Sequence, residues 1–327
     1  MNRQYIFIIS GRADQKSLRI LEEALAGVPA EVRTHFEFRY TQYGGHAADA
    51  AREISEKYGN RVTVVSCGGD GTINEVCNAI AFSKTPLICL PFGTGNDLSK
   101  TIYGLKTPDL RESLINLDSF KPRKIDLIRI DSYDAMGNHL PMWSRYCVNV
   151  ASIGLDTKVQ AAAKAMVLAN PKSSFVRKTA YIRSALKGIT GKRSSNFSYK
   201  LELESGETYE SESTVNTLIS ICNGRYYGDG FCPAPDAMPD DGIADVCAVD
   251  DVSFGKAVNL ITKYRFGKHV GKPGIHMFRA TSGIITSTDP SYQLQGNYDG
   301  EDFFGHRIRF EVFPDAMYMC FPEAKDD

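Results

Sequence analysis

A chain of 327 residues, 43% of them hydrophobic, can bury a sizeable core and exceeds the usual size of one compact domain, so two domains are expected. Its formal net charge of -1 argues against a general nucleic-acid-binding surface, and no apolar run approaches the roughly 20 residues that a membrane span needs. The opening residues, MNRQYIFIISGRADQK, lack the apolar core and cleavage site of a signal peptide, and the eight cysteines form no C-x-x-C pair. A cytoplasmic protein with reduced, mostly buried thiols is the expectation.

In chain order, residues 5–9 read as an apolar strand that runs into Ser10, Gly11 and Arg12. Residues 41–46 (TQYGGH) form a loop ahead of a helical pattern through Ala51, Ile54 and Tyr58. Residues 61–66 (RVTVVS) suit a buried parallel strand, and after three glycines Ile73, Val76, Cys77 and Ile80 recur at helical spacing. The turn between them, SCGGDGT, joins a strand to a helix N-terminus, where free N–H groups face an anion and glycines allow the backbone to approach it. Asp70 within that turn makes chemical sense beside a phosphate if a metal ion lies between them, or if it accepts a proton. A tight turn with an N-capping Thr72 is the plainer alternative. Residues 86–91 (PLICLP) form another short strand, and Gly93, Thr94, Gly95, Asn96 and Asp97 after it repeat the recipe, which suggests one shared anion site.

Beyond about Leu127 the chain turns strand-like and turn-rich, as an antiparallel β structure should. A helix interrupts it over residues 175–189, with Phe175, Ile182, Leu186 and Ile189 predicted on one apolar face and Arg177, Arg183 and Lys187 projecting elsewhere. Charge is blocked along this half: residues 157–201 hold ten basic residues and no acid, including Lys178, Lys192 and Arg193. Residues 252–288 are also acid-free, and Asp236, Asp240, Asp241, Asp245, Asp250 and Asp251 lie between the two stretches. Such blocks are either solvated faces or a surface for an anionic partner.

The segments GGDGTINEV (68–76) and PFGTGNDLSK (91–100) resemble the nucleotide-loop signatures of the diacylglycerol kinase catalytic-domain family. The resemblance continues through KIDLI (124–128), AYIRSALKGI (180–189), NGRYYGDGFCPAPDAMPDDGIADV (223–246) and YDGE (298–301), in the family's order and over most of the chain. GGDGT alone is weaker, since NAD kinases and phosphofructokinases carry similar loops. One departure is visible: Ser10, Gly11 and Arg12 stand where the family has an Asn-Pro loop. Either Arg12 contacts a phosphate or that part of the site is weakened.

The resemblance implies an α/β nucleotide-binding domain of the NAD kinase/diacylglycerol kinase type over residues 1–127, with residues 313–327 packing back on it. It implies a β-rich sandwich domain over 128–312 for the lipid, and an active site in the cleft between the two. ATP would be cradled by Thr41, Gly68, Gly69, Asp70, Gly71, Thr72, Asn74, Glu75, Gly93, Thr94, Asn96 and Asp97. Asp70, Asp97 and Asp126 would organise magnesium. A second, structural magnesium would take the Asp241 side chain and the carbonyls of Met238 and Ile243. In YDGE, Asp299 and Glu301 are candidates for the base that takes the acceptor's proton, two residues apart and on one face if the segment is a strand, with Asp70 the next candidate.

The expected function is an ATP- and magnesium-dependent lipid kinase acting on a hydroxyl, with diacylglycerol as the leading acceptor. A kinase of a soluble substrate such as NAD and a nucleotide-responsive lipid-binding protein without turnover are the alternatives. Expected partners are ATP, the lipid and, transiently, an anionic membrane surface, with a homodimer as the assembly and no nucleic acid.

Overall fold

The computed structural model describes residues 3–323 apart from 12, 14, 94, 105–109, 171–172, 191–193 and 229, and without the side chains of 174, 177, 178, 181 and 189. The expectations for Arg12, Thr94, Lys192 and Arg193, and for the side chains of Arg177, Lys178 and Ile189, therefore lie outside the described residues. The chain divides into two compact units, Met1–Ile125 with Asp315–Asp327, and Asp126–Pro314.

In the first unit β1 (Gln4–Ile9), α1 (Gln15–Ala26), α2 (Ala30–Arg33), β2 (Phe36–Tyr40), α3 (His46–Tyr58), β3 (Val62–Gly68), α4 (Asp70–Ile80), β4 (Pro86–Pro91), α5 (Asp97–Tyr103) and α6 (Leu110–Ile115) alternate strand with helix. β1 pairs in parallel with β2 and β3, and β3 with β4, so all four carboxyl ends point to one edge of the sheet. β1, β3 and β4 are buried on both faces, which is why they read as continuous apolar runs, whereas β2 is the half-exposed edge strand of the sheet. On one face Tyr5, Phe7, Val65 and Ile88 pack with Leu21 of α1 and Leu114 of α6. Ile73, Val76, Cys77 and Ile80 of α4 are all buried, as their spacing predicted.

The second unit begins within β5 (Phe120–Tyr133). It continues through β6 (Arg145–Cys147), β7 (Val150–Gly154), α7 (Leu155–Ala169), α8 (Ser174–Thr190), β8 (Ser195–Leu203), β9 (Thr208–Glu210), β10 (Val215–Cys222), β11 (Ala244–Asp250), α9 (Phe254–Arg265), β12 (Ile275–Ser287), β13 (Leu294–Tyr298) and β14 (Glu301–Gly305). Its last strand, β15 (Arg307–Pro322), runs on into the first unit, where Tyr318 and Met319 pair in parallel with Pro86 and Leu87 of β4. Antiparallel pairing orders the strands β14, β13, β7, β10, β11, β12, with β8 and the start of β15 also on β12.

Both faces of β10 are buried. Ile219 and Ile221 enter a sandwich core with Ile128, Phe197 and Phe310, while Leu218 and Cys222 join a second core under α7, α8 and α9. The face predicted for α8 is corrected here: Phe175 is 70% exposed and Leu186 51% exposed, whereas Ala180, Ser184 and Ala185 are buried. Ile182 does pack against the second core, as predicted, but small residues bring α8 close to its neighbours, which leaves Phe175 and Leu186 on the outside. All eight cysteines are free and buried.

Candidate functional site

Because the strands of the first unit are parallel, the loops after β1, β2, β3 and β4 emerge along the same sheet edge, which brings Thr41, Gly68–Thr72, Gly93 and Gly95–Asp97 onto it. Two of these loops touch backbone to backbone. A Cβ on Gly93 would lie 2.6 Å from the Gly69 Cα, so any side chain there would force the loops apart. Asn96, in a left-handed conformation, closes the second loop on itself: its Oδ1 accepts from the Gly93 N–H at 2.7 Å and its Nδ2 donates to the Gly93 carbonyl at 2.7 Å. A Cβ on Gly95 would meet Asp70 Oδ2 at 2.9 Å and Asp97 Oδ2 at 3.4 Å, so these two carboxylates converge on bare backbone. Lys100 forms an ion pair with Asp97 at 3.2 Å.

The cradle left open by these glycines, with a helix start at Asp70 and two carboxylates beside it, suits a phosphate with a bound magnesium. Other expected residues act one step back. The Thr41 hydroxyl accepts from the Gly11 N–H at 2.9 Å and anchors the first loop. Glu75 accepts from the Gly45 N–H at 3.0 Å and so satisfies the start of α3, while Asn74 is buried within α4. Beside Thr41, the rings of Tyr43 and His46 stack at 4.6 Å on an exposed surface.

In the second unit, four separated motifs share one hydrogen-bond network. Asp126 is buried in this unit; its Oδ2 accepts from Gly242 N–H at 2.6 Å and its own N–H donates to the Pro239 carbonyl at 2.7 Å. The buried Asn223 amide donates to the carbonyls of Asp126 and Val148, both at 2.9 Å. The next turn of the network is YDGE, which forms a tight hairpin rather than a strand: Tyr298 pairs with Glu301, and Asp299 and Gly300 have φ of 49° and 94°. The two acids of the motif therefore do not share a strand face. Asp299 Oδ2 accepts from Val148 N–H at 2.7 Å, and Oδ1 from the N–H groups of Asn149 and Val150, each at 3.1 Å. Glu301 begins β14 and is exposed.

The Asp241 loop does not fit the second magnesium. Asp241 Oδ1 accepts from Ile243 N–H at 3.1 Å, and its Oδ2 holds the Arg279 guanidinium at 2.9 Å. A divalent ion on that carboxylate would stand against a fixed cation.

Sequence reasoning missed Asn149, Asn223 and Asp156. Asp156 is buried at the start of α7, accepts from the Ser152 hydroxyl at 2.6 Å, and forms part of the wall of a mostly apolar cavity of about 80 Å³. Leu155, Val159, Leu218, Phe231 and Leu260 supply much of the lining. The signal was available in SIGLD, an acid at the end of a strand and just before the acid-free stretch.

Comparison with known proteins agrees with both halves. The diacylglycerol kinase catalytic domain matches residues 4–130, and the YegS C-terminal NAD kinase beta sandwich-like domain matches residues 149–321. A "Probable lipid kinase YegS-like" from Xanthomonas euvesicatoria is 30% identical over 284 residues, 84% of each chain. The fold matches a diacylglycerol kinase crystal structure from Bacillus anthracis with a TM-score of 0.68 at 18% identity, over 98% of this chain and 97% of that one. It also matches yeast NADH kinase, with a TM-score of 0.52 at 11% identity over 98% and 84% of the two chains.

Proposed function

Because the chain belongs to the diacylglycerol kinase catalytic-domain family, we propose that it is a lipid kinase that transfers the γ-phosphoryl group of ATP to the free hydroxyl of diacylglycerol, giving phosphatidic acid. The observation that carries the choice of acceptor is the apolar cavity of the second unit. It offers aliphatic and aromatic walls to an acyl chain and one buried acid, Asp156, to a polar end, whereas a nucleotide acceptor would meet mostly hydrocarbon there.

On this reading, the glycine loops of the first unit hold the phosphates through backbone N–H groups, and Asp70 and Asp97 hold magnesium, which offsets the phosphate charge when bound. Glu301, the exposed acid of the hairpin, takes the proton from the acceptor hydroxyl as its oxygen bonds to phosphorus. Asp299 fixes the hairpin that carries Glu301. Lipid is reached by peripheral contact: no helix among the described residues is long and apolar enough to cross a membrane. Leu168, Phe175 and Leu186 are exposed on α7 and α8 beside Lys164, Arg183 and Lys187.

The test is incubation of purified protein with labelled ATP, magnesium and separate acceptors: diacylglycerols of several chain lengths, ceramide, sphingosine and NAD. Labelled phosphatidic acid is the expected product, abolished in Asp70→Asn with the unfolding temperature unchanged. Label appearing in NAD, or in no acceptor at all, overturns the proposal.

A further inference from the structure

We infer that Arg279 is a built-in replacement for a structural metal ion in the second unit, so that this unit folds without divalent cations. The inference does not depend on the lipid chosen as acceptor. The loop Pro239–Gly242–Ile243 turns around Asp241, and such a turn concentrates carbonyl and carboxylate oxygens that need positive charge. Here the charge comes from a side chain. Arg279 Nη2 donates to Asp241 Oδ2 at 2.9 Å, and its Nε donates to Glu204 Oε2 at 2.7 Å. In the β11–β12 register Arg279 also stands directly opposite Asp245. One guanidinium therefore faces three carboxylates, from the DDG loop, the loop after β8 and β11, and its planar fork engages two of them at once.

The loop is fixed from its other side without metal as well. Gly242 N–H donates to Asp126 at 2.6 Å and the Pro239 carbonyl accepts from Asp126 N–H at 2.7 Å, so a strand residue in β5 grips the loop through both its side chain and its backbone. Arg279 supplies the remaining requirement, charge. It leans from β12, where Ala280 pairs with Ala244, so its backbone is set by the sheet and not by the loop. A divalent ion demands several oxygens at about 2.0–2.6 Å, and it would have to displace the guanidinium from Asp241 to obtain its carboxylate.

The same geometry predicts what removal does. Without the guanidinium, Glu204, Asp241 and Asp245 lose their shared counter-charge, and the loop acquires the need for a cation that Arg279 now meets. The probe is Mg²⁺ or Ca²⁺ alone, without nucleotide, on the full chain. Chelator-treated wild-type protein is expected to unfold at the same temperature with and without millimolar Mg²⁺ or Ca²⁺, and to retain no stoichiometric divalent ion after gel filtration. Arg279→Gln is expected to unfold several degrees lower in chelator and to recover on addition of either ion. One divalent ion per wild-type chain, or a wild-type unfolding temperature that falls on chelation, overturns the inference. So does an Arg279→Gln protein that neither ion stabilises. If that variant does not fold, the wild-type metal content and melting comparison decide the matter alone.

Discussion

Asp299 and Glu301 are neighbours in a four-residue motif, yet their surroundings assign them to different work. Three backbone N–H groups from residues 148–150 hold Asp299, while Glu301 stands exposed at the start of β14. Glu301→Gln removes a proton acceptor and keeps shape, so transfer should slow by about 10²- to 10⁴-fold with ATP affinity near normal, as single-turnover rates and ATP titrations would show. Asp299→Asn turns one acceptor oxygen into a donor facing a donor. Its loss should appear in stability, on the order of 3 kcal/mol or about 6–12 °C in a melt, ahead of any effect on the chemical step. His269 gives a second residue-scale test. It is fully buried, lies tilted against the Tyr264 ring with centroids 4.6 Å apart and holds the Pro233 carbonyl at 2.9 Å, and burial lowers its pKa from the ordinary 6.5. A lowered folded pKa means stability that is present above pH 6.5 and lost as pH falls from there toward the folded value. The melting temperature of the wild type should fall over that acidic window, and His269→Gln should flatten the fall. Sequence made the candidacy of Asp70, Asp97 and Glu301 legible through their motifs. The anchoring of Asp299 was not, because its donors lie about 150 positions away and no local pattern connects them.

At the scale of elements, β1, β3 and β4 were readable because burial on both faces leaves an unbroken apolar run, and α4 because its buried positions are apolar at helical spacing; β2, half-exposed at the sheet edge with the sequence FEFRY, was not. α8 was misread for the converse reason. Its packing positions, Ala180, Ser184 and Ala185, carry little hydrophobic signal, while Phe175 and Leu186 carry much of it and face outward. Exposed apolar residues on a helix with basic neighbours suit the edge of a bilayer, where the rings and alkyl chains enter and the charges stay at the headgroups. Vesicle co-sedimentation should rise with anionic lipid and fall with salt, each basic residue near the surface contributing roughly 1 kcal/mol. The double variant Phe175→Ser, Leu186→Ser should weaken sedimentation at every salt concentration while ATP binding is kept. Binding that ignores lipid charge and this substitution alike would remove α8 from the membrane contact.

At the scale of the whole chain, the first unit is not a contiguous stretch: it is completed by Asp315–Asp327, and β15 crosses from one unit to the other within a single strand. The nucleotide motifs lie in the first hundred residues, while the segment that completes their unit lies at the far end of the chain, where the family resemblance also expects residues 313–327 to pack back. Cys89 and Met319, packed at 3.6 Å across the β4–β15 contact, are 230 residues apart. During synthesis at about 5–20 residues per second, that separation leaves the open edge of β4 waiting for roughly 10–50 s after it emerges. An apolar strand edge held open that long is a template for pairing with another chain. The second unit, Asp126–Pro314, has all its residues first. The order of birth is thus reversed with respect to the order of the sequence: the part that begins the chain is the last to close. A chain ending after Phe313 keeps every glycine loop and the YDGE hairpin, and it should nevertheless be recovered mainly as aggregate, with co-expressed residues 314–327 unable to restore solubility because they arrive unattached to the strand that aims them.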